Sequence, residues 1–275
     1  MKRNTFKSHL TYFLLLCFPL LVMCGCRPHP PEFSKRDLNE QSVLSLVWYQ
    51  NASEVKALCY QAFNTARMML DKALERNSHQ KKPAVVVDID ETILDNSPWE
   101  AELIDEDVEF TAGWEEWCDA AEAEAVPGAV EFLSYASERG ADIFYVSNRD
   151  VSSRVSTVEN LKNLGFPQVL EDRLLLMEGN SDKEPRRRSI EKDHTILLLI
   201  GDNLNDFDNV FRNKAIDERK AAVERLREEF GKRFIILPNP MYGDWERAVY
   251  GYDPRLSPGE KSKARKAHLK GWKRR

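Results

Sequence analysis

An α/β fold built on a mainly parallel sheet flanked by helices is predicted by three features of this sequence. Short apolar runs at 84–87, 142–146 and 195–200 have the length and β-branched content of buried strands. Each run ends in a polar cluster, as the carboxyl ends of parallel strands do where ligands bind. The stretches between them carry helical periodicity, and 275 residues with 42% apolar content suffice for one α/β core.

Residues 34–75 read as helical from apolar positions Val43, Leu44, Val47, Val55 and Leu58, and they precede the first strand. Pro127 and Gly140 bracket one later helix, and Asp150 and Gly165 bracket the next. Residues 95–126 form an insertion rich in acid and tryptophan, which predicts a small cap shared with the N-terminal helical region 34–80. The catalytic domain is expected over 81–252.

The polar clusters point to chemistry. Asp88-Ile89-Asp90-Glu91-Thr92 follows the first strand, and side chains at i and i+2 of an extended segment point the same way, so Asp88 and Asp90 can face one pocket. A carboxylate that attacks phosphorus in line divides hydrolysis into formation and breakdown of an acyl phosphate. A second carboxylate can protonate the leaving alkoxide and then activate water. Ser147-Asn148-Arg149 ends the second strand, Lys183 is isolated, and Gly201-Asp202-Asn203-Leu204-Asn205-Asp206 ends the third. Near Lys183, Arg186, Arg187 and Arg188 are also able to reach an anion, but they read as a solvated helix face. Arg149 has a stronger claim, either on substrate or on an active-site carboxylate.

In this order the clusters resemble the haloacid dehalogenase superfamily, and more closely the bacterial class C acid phosphatases. The stretches that carry the resemblance are DIDETILDNSP from Asp88, AVPGAVEF from Ala125, FYVSNR from Phe144, GDNLNDF from Gly201 and LPNPMYGDW from Leu237. It covers about residues 34–252.

The resemblance implies an HAD-like Rossmannoid core and a Mg²⁺-dependent phosphomonoesterase. Asp88 would be the nucleophile and Asp90 the general acid and base, while Thr92, Ser147, Asn148 and Lys183 would hold the phosphate. Asp88, Asp90 (through its carbonyl), Asp202 and Asp206 would hold the metal. Because a halide leaves without a proton, Asp90 argues for phosphate rather than carbon–halogen chemistry. Trp114 and Tyr242 align with positions where relatives stack rings on a nucleobase, which with Arg149 implies a nucleoside 5′-monophosphate substrate. Relatives also suggest a homodimer. The chain departs from the family pattern at Glu184-Pro185, where a second lysine or a small polar residue is usual.

Two other functions use the same residues. A phosphotransferase would pass the phosphoryl group to an alcohol, and a non-catalytic surface lipoprotein would only bind a nucleotide or haem. Histidine-dependent phosphatase chemistry is excluded, because none of the five histidines lies in an Arg-His-Gly context.

The termini speak to location. Lys2, Arg3 and Lys7 precede an apolar run at 12–22, and Gly25-Cys26 fits a lipoprotein cleavage site, so residues 1–25 read as a signal peptide and 26–33 as a tether. Lipid on Cys26 would anchor the protein to a bacterial envelope membrane, most plausibly the outer one. Without residues 1–25 the formal charge moves from −5 to −8, which disfavours nucleic acid as a general partner. Residues 253–275 are a basic tail; from Arg255 onward it holds nine Lys/Arg against one Glu, and it reads first as a solvated, disordered segment and second as one touching an anionic surface. Cys59 and Cys118 are expected reduced and buried.

Overall fold

The first strand explains the architecture of the computed structural model, which describes residues 32–75 and 81–272. In β1 (Lys82–Val87), Val85 and Val87 enter one core cluster while Ala84 and Val86 enter another. Alternate side chains of a strand point to opposite faces, so an uninterrupted Ala-Val-Val-Val run means that both faces are covered. The remaining strands are β2 (Leu94–Asp95), β3 (Glu124–Ala125), β4 (Asp142–Asp150), β5 (Leu174–Met177), β6 (His194–Gly201) and β7 (Phe234–Ile236). Five of them form a wholly parallel sheet in the order β5-β4-β1-β6-β7, with β1 at its centre.

In chain order the helices are α1 (Lys35–Asn39), α2 (Val43–Asn51), α3 (Ser53–Glu75), α4 (Ser97–Glu102), α5 (Trp114–Ala120) and α6 (Ala129–Glu138). They continue with α7 (Arg154–Asn163), α8 (Glu184–Glu191), α9 (Ile216–Arg225), α10 (Asp244–Val249) and α11 (Pro258–Ala267). On one face of the sheet, α3 and α6 bury Cys59, Phe63, Ala66 and Leu70 against Phe132 and Leu133. The other face is closed by Ile190 of α8 with Phe207, Phe230 and Phe234. Cys59 and Cys118 are free and buried, as the sequence predicts.

The N-terminal helices correct the sequence reading in two respects. Ala52 is extended and splits the predicted helix into α2 and α3. The buried stripe is Leu46, Tyr49, Val55, Cys59, Phe63, Ala66 and Leu70, whereas Val43, Leu44, Val47 and Leu58 are exposed. Apolar periodicity identifies the helices, and the inward face of α3 is the one on which Phe63 stacks with Phe132 of α6. Thus α3 is a core helix, and only α1 and α2 lean on the insertion.

That insertion is closed at its base by β2 pairing antiparallel with β3, Leu94 opposite Ala125. Asn39 Nδ2 donates to the carbonyls of Leu103, Glu106 and Val108, and Asp107 Oδ1 accepts from the Lys35 N–H, which ties α1 to its tip. The basic tail is a second correction. Its residues form the ordered helix α11, capped by Ser257 and packed on α1. Phe33–Arg275 is one compact unit that contains both core clusters. The signal peptide and Cys26 lie outside the described residues.

Candidate active site

Every polar cluster from the three strands arrives at the same end of the sheet. Asp88 follows β1, and its N–H still donates to Ile200 O at 2.9 Å, so the ladder with β6 holds the residue in place. The chain then turns tightly: the N–H groups of Ile93 and Leu94 both donate to Ile89 O, and Glu91 takes a left-handed φ of 56°. This turn lets Asp88 and Asp90 line one cavity of about 430 Å³ together with Asn148, Lys183, Asp202 and Asp206.

Lys183 caps the start of α8, and its Nζ lies 2.6 Å from both Asp88 Oδ1 and Asp206 Oδ1. Asp206 Oδ2 accepts from the Asn203 N–H at 3.0 Å. Gly201 is required here, since any Cβ at that position would collide with the Asp206 carboxylate. Asp202 accepts from Thr92 Oγ1 at 3.3 Å on one oxygen and from Asn239 Nδ2 at 2.8 Å on the other.

Burial makes these charges costly. Asp88 is pushed well above the usual carboxylate range by desolvation, against the pull of Lys183 and with the push of Asp206, Asp202 and Asp90. Asp202 rises to about 7, first by burial and then by the Asp206 charge. Lys183 is raised to about 12, because Asp206 and Asp88 more than offset its own desolvation.

One ammonium therefore serves three clustered carboxylates. Oxygens of Asp88, Asp202 and Asp206 lie within 4.8 Å of one another. Asp88 Oδ1 meets only the Lys183 ammonium, at 2.6 Å, and shares that one cation with Asp206. Buried carboxylates that outnumber their cation, with oxygens this close together, are a donor set that fits a hard divalent ion. The Asp90 carboxylate stands outside this triad.

Asp90 is instead gripped from other elements. Arg149 Nε donates to Oδ1 at 2.8 Å, Asn96 Nδ2 to Oδ1 at 3.0 Å, and Ser147 Oγ to Oδ2 at 3.2 Å. Arg149 also reaches Asn96 Oδ1 and Thr157 Oγ1, and it is only 1% exposed. Its pKa is raised: burial works against the charge, and Asp90 outweighs it.

Several expectations are corrected by these contacts. Arg149 is not among the residues lining the cavity, and of its two predicted partners the structure shows the carboxylate, Asp90. Thr92 is fully buried and braces Asp202, away from the lining that would meet a phosphate. Ser147 is likewise buried, its oxygen shared between Asp90 and the Arg149 N–H, and Asn148 is the member of that pair that faces the cavity. Arg186 donates to Ser147 O and Asn148 Oδ1, and Arg187 donates to the carbonyls of Asn205 and Asp206. These two side chains splice the motif loops together and are not a solvated face; Arg187 also pairs with Glu184, and only Arg188 of the three is exposed while it does so.

Aromatic rings form the outer wall. Trp114 and Tyr242 both line the cavity, joined by Trp99 and Phe110, which sequence reasoning did not single out. Trp99 meets Trp114 edge-on at 4.8 Å, and Phe110 lies 5.3 Å from Tyr242. The Tyr242 hydroxyl bonds the buried Glu91 carboxyl, which burial holds well above its ordinary pKa. Trp117 serves the frame, donating to Asn96 Oδ1 at 2.8 Å, and Trp245 is outside the cavity.

Comparison with known proteins agrees with this geometry. Residues 31–245 match the family model described as HAD superfamily, subfamily IIIB (Acid phosphatase). The class C acid phosphatase of Bacillus anthracis, solved both with tungstate bound and without, is 43% identical. Each of those structures superposes with a TM-score of 0.83, covering 86% of this chain and 99% of the other. Acid phosphatase 1 of Solanum lycopersicum is 26% identical over 171 residues, which span 57% of this chain and only 57% of that protein's length.

Proposed function

Because this chain belongs to subfamily IIIB of the HAD superfamily, the acid phosphatases, we propose that it hydrolyses nucleoside 5′-monophosphates, with Mg²⁺ at the carboxylate triad and a phosphoryl group carried transiently on Asp88. The observation that carries this reading is Asp88 itself: a buried carboxylate on the cavity wall, ion-paired to Lys183 and clustered with Asp202 and Asp206. Tungstate, found in the Bacillus anthracis relative, is a tetrahedral oxyanion like phosphate.

Asp88 attacks phosphorus, and the bond to the ester oxygen breaks as Asp90 delivers its proton to that oxygen. Asp90 then takes a proton from water, whose oxygen attacks the phosphorus and releases Asp88 and inorganic phosphate. Lys183 holds negative charge next to the nucleophile throughout, and Asn148 offers its amide to the equatorial oxygens. Mg²⁺ would supply the remaining countercharge to phosphate at Asp88, Asp202 and Asp206. Arg149, Asn96 and Ser147 keep Asp90 in place for both proton transfers.

The aromatic wall supports the choice of nucleotides. Trp114, Phe110 and Tyr242 present ring surface beyond the charged floor, and stacking on such rings contributes about 1–3 kcal/mol per base. We place the enzyme in the bacterial envelope, carried in the outer membrane by lipid on Cys26, and in solution as a homodimer.

The test is phosphate release from nucleoside 5′-monophosphates and from glycerol phosphate, with Mg²⁺ or EDTA, in wild type and Asp88→Asn. Metal-dependent release lost in the variant supports the reading. Trp114→Ala and Tyr242→Ala should raise KM for nucleotides and leave glycerol phosphate unchanged. Product phosphorylated on an added alcohol would favour the phosphotransferase, and absence of turnover would leave a binding lipoprotein.

A further inference from the structure

We infer that α11 and the segment following it form a docking surface for an anionic lipid bilayer, placed beside the point where the N-terminal tether enters the fold. The first observation is position. Phe33, where the compact unit begins, lies against Gly259 of α11, so that a methyl group on Gly259 would stand 3.5 Å from Phe33 Cβ. Gln41 Nε2 donates to Ser262 Oγ at 2.8 Å, and Arg265 Nη1 donates to Leu38 O and Gln41 Oε1. The helix is thus fixed to α1 and to the start of the compact unit.

The second observation is the division of charge along α11. Arg265 turns inward to Glu246 and Tyr250, and Lys261 lies over the Tyr250 ring. Lys263, Lys266 and Lys270 are exposed and make no ion pair among the described residues. Nearby carboxylates are already engaged: Glu260 caps Ser257, Asp253 pairs with Arg255, and Asp105 and Glu109 pair with Arg36 and Lys35. Three lysines therefore offer uncompensated positive charge on a protein whose formal charge is −5.

The third observation is apolar. Leu269 and Trp272 are 76% and 83% exposed, the latter the most exposed of the large hydrophobic residues described. Exposed Leu and Trp interleaved with lysines have no use for water, and they match the headgroup boundary of a bilayer, where an indole sits with its ring among acyl chains and its N–H in the polar layer. Nucleic acid would use the lysines but leave Leu269 without a purpose. A lipid on Cys26, seven positions before Phe33 in the chain, would supply a second anchor, and the vesicle measurement below depends on neither lipidation nor catalysis.

The test uses the compact unit 33–275, which carries both core clusters, with vesicles of phosphatidylcholine alone or containing phosphatidylglycerol. Binding is expected only to the anionic vesicles and should be released by added salt, since surface charge is screened within about 8 Å at physiological ionic strength. Each basic residue near such a surface multiplies partitioning about fivefold. Lys263→Gln/Lys266→Gln/Lys270→Gln should therefore lose at least about tenfold, and Trp272→Ala severalfold, with phosphatase activity in solution unchanged as a check of folding. Equal binding to both vesicle types, no binding to either, or undiminished binding by the triple variant would overturn the inference. Tighter binding to a random DNA duplex at the same salt would overturn the choice of lipid.

Discussion

Arg149 Nε lies 2.8 Å from Asp90 Oδ1, an ion pair of a buried arginine with a half-buried carboxylate 59 positions away in sequence. Arg149 is not among the cavity-lining residues and grips Asp90 instead, which suits it to orient the proposed acid. Arg149→Met should lower kcat by at least about tenfold with little change in KM, and should move the pH profile of kcat. Leaving Asp90 without its buried partner should also cost about 3 kcal/mol of stability. Arg149→Lys should recover part of both. Steady-state kinetics and urea unfolding check this, and a change confined to KM would instead mean that Arg149 touches substrate.

Asp88 and Asp90 should separate by leaving group. Asp88→Asn is expected to abolish turnover of every ester, by roughly 10⁴-fold or more. Asp90→Asn should slow alkyl phosphates by about 10²–10⁴-fold and p-nitrophenyl phosphate far less, because nitrophenolate departs without a proton. Equal losses on both esters would deny Asp90 the role of acid.

Thr92 and Asn239 each hold one oxygen of Asp202. Groups that orient a ligand typically matter about 10–100-fold in metal affinity. Thr92→Val and Asn239→Ala should therefore raise the Mg²⁺ concentration for half-maximal activity by that factor, with kcat at saturating Mg²⁺ much less affected. EDTA should abolish activity in wild type, and Mg²⁺ should restore it.

Glu100 provides a test of stability against pH. It is buried, one carboxyl oxygen has no partner, and burial followed by the charges of Glu246 and Asp95 raises its pKa from 4.5 to about 8. In that interval the folded chain holds a proton that the unfolded chain has released. The stabilisation is thus complete below about pH 4.5 and declines as pH rises to about 8. Glu100→Gln should flatten that decline and stabilise the fold near neutral pH by roughly a few kcal/mol or less, seen as a higher melting temperature. Thermal melts across this interval check it, and parallel curves for the two proteins would place the proton elsewhere.

The sequence by itself determined the sheet and the polar clusters at its strand ends. Strands covered on both faces are apolar on both, so the runs at 84–87, 142–146 and 195–200 announce themselves, and Asp88, Asp90 and Asp202 follow from the ends of those runs. Local spacing does not report which distant groups meet. Only the tertiary structure gives Asp90 to Arg149, joins Tyr242 to Glu91 across 151 positions, turns Arg186 and Arg187 onto the motif loops, and folds the basic tail onto α1. Periodicity likewise identified the N-terminal helices, and the structure adds which of their apolar residues turn inward, with Leu46 buried and Leu44 exposed. A polar side chain carries its chemistry in its type, but its partner is set by the packing of elements remote in sequence, which no run of neighbouring residues encodes.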